Sequence, residues 1–201
     1  MVRILNGLFA PSRRRCLARE NQLEVAGIFG WVGAIILGAG QEETAMPHGK
    51  VREVVGASRG EVFALLHDYG RRLEWDTLLA AAYLTDGYEQ AELGAVSVCQ
   101  GKRRLGGLAL KTRYIVFKPG EVAAIKMVNR PLFFETFAAT IRHGDVAGGN
   151  SWVEYTFEFT ARPKWLRWVL HPVMGAMFRR ETRKRLGALR RHFETEATIR
   201  R

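Results

Sequence analysis

The sequence predicts an α+β fold in which a curved antiparallel β-sheet wraps around a long C-terminal α-helix. Three observations carry this reading. Between residues 78 and 161, six strand-like segments follow one another with only short turn-forming separators. Such separators join antiparallel neighbours, because parallel strands need crossovers of a dozen residues or more. From residue 163 to 193, apolar residues recur at three- and four-residue spacing, the period of one helix face. A strand and a short helix pair come before the meander, so one long helix is left to cover one side of the sheet. Side chains held apart between that helix and a concave sheet leave room for a ligand.

The elements follow in order. Lys50 to Val55 is rich in β-branched residues and reads as a strand. Ser58 followed by Glu61 is a capping box, so a helix starts there, with Val62, Phe63, Leu65 and Leu66 on its buried face. Asp68, Tyr69 and Gly70 interrupt it, and a second short turn runs from Arg71 to Trp75, with Asp76 as a turn or cap residue. The strands are expected at Leu78 to Thr85, Ala95 to Gln100, Leu108 to Phe117, Val122 to Val128, Leu132 to Ile141 and Trp152 to Ala161. Their separators are Asp86-Gly87, Gly101 to Arg104, Pro119-Gly120, Arg130-Pro131 and Gly144 to Asn150.

Alternation sets the faces. Val153, Tyr155, Phe157 and Phe159 share the buried side of the last strand, and Glu154, Thr156 and Glu158 the wet side. Leu108, Leu110, Tyr114 and Val116 point inward, and Lys111 and Arg113 outward. The parity of Phe133, Phe137, Ala139 and Ile141 places Glu135 inward as well, unless a bulge turns it out or it pairs with Arg130. In the C-terminal helix, Leu166, Val169, Leu170, Val173, Met174, Met177, Phe178, Leu186, Leu189 and Phe193 form the apolar stripe. Arg179, Arg180, Arg183, Lys184, Arg185, Arg190 and Arg191 form the outer face, and Pro172 is expected to kink the helix or start a fresh segment.

The chain has 201 residues, of which 47% are apolar and 25% charged. These values exclude a mainly disordered or fibrous chain and suit one domain with an appendage. Lys and Arg number 31 against 20 Asp and Glu, a net charge of +11. The excess is local: residues 163–201 carry 11 basic and three acidic side chains, whereas residues 47–162 carry 15 and 13. A basic helix suggests an anionic membrane surface as a partner. Nucleic acid is disfavoured, since neither a binding motif nor a basic surface extends through the body. Cys16 and Cys99 are far apart and form no disulfide or metal-binding pattern, so the expected location is the cytoplasm, with membrane association as the alternative.

Residues 1–46 read as an extension, 47–196 as the folded domain and 197–201 as a basic tail. Within the extension, residues 25–40 (VAGIFGWVGAIILGAG) form an uncharged run of 16 that follows Arg13, Arg14, Arg15 and Arg19. A membrane-spanning helix needs roughly 20 such residues, and five glycines from Gly27 to Gly40 weaken a helix. An anchor, a signal segment, and an upstream extension of a chain whose translation starts at Met46 remain as readings.

The stretch from Ser58 to Trp75, SRGEVFALLHDYGRRLEW, resembles the opening helix pair of the START-like superfamily, also called Bet v 1-like or SRPBCC. Asn129 to Phe137, and the exit from Tyr155 to Phe159 through Pro163 into WLRWVLHPVM, are similar to its sheet and helix entry. The likeness covers about residues 50–195 and is greatest to the polyketide cyclase/dehydrase and lipid-transport type. It implies a helix-grip fold that binds a hydrophobic small molecule or lipid between sheet and helix, with cyclase/dehydrase chemistry in a minority of members.

The candidate ligand-binding residues are Trp75, Tyr83, Tyr114, Phe133, Phe137, Tyr155, Phe157, Trp168 and Met174. Aromatic residues on inward faces serve equally as plain core. Glu135 is the candidate catalytic residue, a carboxyl whose pKa an apolar pocket would raise, with a tyrosine to hold a carbonyl. No metal site is expected, since His48, His67, His143, His171 and His192 show no HxxxH or HExxH spacing, and no cofactor is implied. GKRRLGG at 101–107 lacks the phosphate-loop frame and reads as a hairpin turn.

Overall fold

A computed structural model describes residues 48–103 and 106–199. The expectations for residues 1–46, for part of the 101–107 turn and for the end of the basic tail lie outside the described residues. Strands β1 (His48–Val55), β2 (Leu79–Thr85), β3 (Val96–Gly101), β4 (Ala109–Lys118), β5 (Val122–Met127), β6 (Phe134–Val146) and β7 (Asn150–Ala161) form one sheet. Helices α1 (Arg59–His67) and α2 (Arg72–Trp75) lie between β1 and β2, and α3 (Arg167–Ile199) ends the fold. All pairings are antiparallel, in the order β1-β7-β6-β5-β4-β3-β2. The meander therefore closes on the first strand, and the curved sheet holds the long helix.

Local chemistry explains the boundaries. The Ser58 hydroxyl accepts from the Glu61 N–H at 3.3 Å, and the Glu61 carboxylate accepts from the Ser58 N–H at 3.0 Å. This reciprocal cap satisfies two donors that the first turn of α1 leaves free. Pro119 and Gly120 close β4 onto β5: the Glu121 N–H donates to the Lys118 carbonyl at 3.0 Å, and Gly120 takes φ +74°, a conformation glycine adopts without a steric penalty. The Phe157 ring lies where a Cβ on Gly49 would be, so β1 and β7 pair with that ring folded over bare backbone.

The main core joins sheet, α1 and α3 through Val51, Leu66, Trp75, Phe134, Phe159 and Leu186. Leu186 and Leu189 are fully buried, each worth about 1.5–3 kcal/mol relative to exposure. A second cluster of Phe63, Ala95, Tyr114 and Ala123 takes in Phe117, Tyr69 and Tyr88.

The strict alternation read from the sequence fails at two bulges. The β4–β5 register shifts between Tyr114 and Val116. Val116 is consequently exposed and Phe117 turns inward, against Phe63, His67 and Tyr114. A second shift, between Phe134 and Thr136 in the β6–β7 pair, falls on Glu135. One extra residue breaks the two-residue parity and re-aims the side chain. Pro172 does not divide the C-terminal helix either: a 3-10 turn (Lys164–Leu166) leads into α3, which runs 33 residues with Pro172 inside. At an exposed position in the second turn, the proline deprives only the Trp168 carbonyl of its helical donor.

Candidate functional site

Between the sheet and α3 lies a cavity of about 150 Å³, close to that of an engineered protein cavity that accepts benzene. Its apolar wall comes from Leu66 of α1, Leu108, Leu110 and Ile125 of the sheet region, Phe134, Phe137 and Ile141 of β6, and Met177 and Phe178 of α3. Phe178 packs on Phe134, Phe137, Phe157 and Phe159 with ring centroids 5.4–5.7 Å apart. It thereby ties the helix to the sheet beside the cavity.

Polar groups in the lining come from elements brought together by the fold. His67, the last residue of α1, places Nδ1 2.8 Å from the Tyr114 hydroxyl, which lies 3.1 Å from the Tyr69 hydroxyl. All three residues line the cavity. Burial, followed by the charge of Arg72 and the nearby His143, holds the His67 imidazole well below its usual pKa. It is therefore neutral at pH 7, and either partner can carry the proton between its Nδ1 and Tyr114. Burial pushes the Tyr69 phenol up to about 12 and holds Tyr114 well above the ordinary phenol value, so both are neutral hydrogen-bond donors.

A second polar group joins α2 to α3. Asp76, just after α2, is completely buried as a side chain. Its Oδ2 lies 3.2 Å from Arg72 Nε and 2.8 Å from Arg185 Nε, while Oδ1 accepts from the Leu78 N–H at 3.2 Å. Burial alone would raise the Asp76 carboxyl, but Arg185, Arg72 and that N–H outweigh it and hold the pKa below the usual carboxylate value. Burial would likewise lower Arg185, and the Asp76 charge reverses this and raises it. Arg72 is further engaged by the Leu66 carbonyl and stacks 4.5 Å over the Trp75 ring.

The nine candidate ligand residues separate into four groups. Tyr114, Phe137 and Tyr155 line the cavity. Trp75, Phe157 and Met174 are buried in the surrounding core. Tyr83 is half exposed on β2, near the sheet edge, and Trp168 is exposed on the first turn of α3. Phe133 packs at the core margin just before β6, with φ +67°. The bulge takes Glu135 away from the cavity into a separate depression with Lys126, Asn129 and Arg130.

Arg185 is the main correction. Instead of joining the exposed basic face with Arg180, Arg183, Lys184, Arg190 and Arg191, it turns inward to Asp76 and the cavity. The signal was present in the spacing, since Phe178, Thr182, Arg185 and Leu189 stand at intervals of four, three and four. A polar pair inside an apolar stripe marks a polar end to the cavity. His67 was legible only as the end of α1, because its partner Tyr114 is 47 residues away.

Among the described residues, no group of three or more His, Cys, Asp or Glu could hold a metal ion. Among the same residues, no helix is long and apolar enough to cross a membrane.

The sequence profile of the family described as "Polyketide cyclase / dehydrase and lipid transport" matches residues 46–194. No curated protein matches the sequence. Solved structures with the same fold include the protein XoxI from Bacillus cereus, with 20% identity, coverage of 74% of this chain and 96% of that one, and a TM-score of 0.60. A START superfamily protein from Mycobacterium smegmatis matches at 9% identity over 74% and 97%, with a TM-score of 0.62. The Zhui aromatase/cyclase from Streptomyces sp. R1128 matches at 15% identity over 76% and 96%, also with a TM-score of 0.62.

Proposed function

This chain belongs to the polyketide cyclase / dehydrase and lipid transport family, and on that premise we propose that it binds a hydrophobic small molecule or lipid between the β-sheet and α3. The observation that carries the reading is the cavity itself, whose apolar wall spans α1, the sheet and α3 and whose polar groups include His67, Tyr69, Arg72, Tyr114, Tyr155 and Arg185. Largely apolar walls drive binding through water release, and sparse polar groups orient what enters. Native mass spectrometry of the full chain, before and after organic extraction, tests it. The expected result is a mass excess that extraction removes, or uptake of an added apolar compound. A folded protein that neither retains nor takes up any such compound would refute the proposal.

The hydrogen-bonded row His67–Tyr114–Tyr69 favours a second reading, cyclase/dehydrase-type chemistry in the same cavity. A neutral imidazole can take a proton from carbon beside a carbonyl, while a neutral phenol donates a hydrogen bond to the carbonyl oxygen. His67 and Tyr114 would fill these roles, and Glu135, outside the cavity lining, would not. Tyr114→Phe should slow conversion of a polyketide-like substrate by about 10²-fold or more while retaining binding. Unaltered turnover in a folded variant would exclude the assignment.

A further inference from the structure

We infer that the ligand carries an acidic oxygen group, a carboxylate on a compact apolar body, and that Arg185 binds it. The inference rests on the cavity-binding reading and adds a ligand class to it. Three charges meet at one end of the cavity: the single carboxylate of Asp76 is shared by the guanidinium groups of Arg72 and Arg185, leaving one positive charge in excess. Arg72 is occupied by Asp76, the Leu66 carbonyl and the Trp75 ring. Arg185 is engaged less completely. Its Nε approaches Asp76 Oδ2 at 2.8 Å, yet that N–H is not aimed at the oxygen and finds no other acceptor among the described residues.

A guanidinium offers five donors in a planar fork matched to a carboxylate. Holding its Nε–H unpaired beside an apolar wall is costly unless an anion completes the pairing. The other charged group in the lining is Glu181, whose Oε1 accepts from the exposed Lys184 at 2.7 Å and whose buried Oε2 has no hydrogen-bond partner among the described residues. His67 is held neutral, and Tyr69, Tyr114 and Tyr155 remain un-ionised phenols. Arg72, Asp76 and Arg185 are the charges in mutual contact at that end, and they sum to +1. The cavity of about 150 Å³ limits the enclosed body to about the size of an aromatic ring.

The test compares benzoic acid with the neutral benzyl alcohol on the full 201-residue chain, by titration calorimetry at pH 7. The expected result is that the acid binds at least about tenfold more tightly, as a charge-assisted pair requires. Arg185→Gln should bring the two affinities within about twofold by weakening only the acid, and Arg185→Lys should keep part of the preference. Arg185→Gln leaves Asp76 paired with Arg72, and thermal melts check that each variant is folded. Equal binding of acid and alcohol to the unaltered protein overturns the inference while leaving the cavity reading intact. A preference that survives in Arg185→Gln also overturns it. Failure of both probes to bind the unaltered protein counts against the cavity reading and this inference together.

Discussion

Asp76 is the residue on which the polar end of the cavity depends. It ends α2, caps the following turn through the Leu78 N–H, and faces an arginine four residues before it and another 109 residues after it. Removing a buried counter-charge costs more than the pair's net worth, because the partners stay desolvated. Asp76→Asn leaves the two guanidinium groups without a carboxylate and should destabilise the protein by about 3–5 kcal/mol in denaturant titrations. A loss below about 1 kcal/mol would mean that both arginines reach water in the folded state. Asp76 was legible as a turn residue from its position after Trp75. Its partnership with Arg185 was not, since proximity across such a distance in sequence comes from the packing of α3 on the sheet.

Elements were legible where local chemistry fixes them. The capping box at Ser58 and Glu61 starts α1 as the sequence implies, and α1 delivers His67 to the cavity. Ser58→Ala should cost about 1 kcal/mol and lower the thermal midpoint with little change in ligand retention. An unchanged midpoint would show that packing of Val62 and Leu66 alone sets the helix start. The strands fall within a few residues of their expected ranges because turn residues such as Pro119 and Gly120 stand between them, except that β6 runs on past Ile141 to Val146, through part of the expected Gly144 to Asn150 separator. Their faces were less legible, as the alternation of β4 and β6 is interrupted at Ile115 and Glu135. Nothing in the composition of either strand marks an inserted residue; the need of a curved sheet to bend there decides it. The end of β7 shows a similar dependence on context: the Ala161 N–H donates to His171 Nε2 at 3.2 Å and its carbonyl accepts from Arg167 Nε at 2.7 Å. Two residues of the helix thus anchor the strand that leads into it.

At the scale of the molecule, two buried imidazoles give stability a defined pH dependence. Burial lowers His143 to about 4, and burial with Arg72 and His143 places His67 well below its usual value. In the unfolded chain both take up protons near pH 6.5, while the folded protein resists protonation. Stability is therefore unaffected by these groups above about pH 6.5 and falls as pH drops toward 4. His143 alone accounts for up to about 3 kcal/mol at the bottom of that range, at 1.36 kcal/mol per pKa unit. Asp76 acts further down: its depressed pKa stabilises the fold fully above the ordinary carboxylate value, and that contribution is lost as pH falls through the lower folded value. Thermal midpoints should decline steadily from pH 6.5 to 4, and His143→Phe should flatten the decline. A flat profile in the unaltered protein would contradict the burial of both rings.

The sequence by itself determined the class of fold, the meander, the cap of α1 and the amphipathic C-terminal helix. Each depends on periodicity or on residues a few positions apart, and such local preferences hold before the chain has collapsed. Only the tertiary structure decided the composition of the cavity. Tyr114, Phe137 and Tyr155 reach it because their strands keep register there, whereas Glu135 is carried away by a bulge and Arg185 is drawn in from a helix face otherwise exposed. Register, bulge position and the pairing of buried charges are set by contacts between distant segments. They form when the sheet curves around α3: helix spacing places Arg185 on the inward stripe, but no local pattern in the sequence names its partner or the position of a bulge.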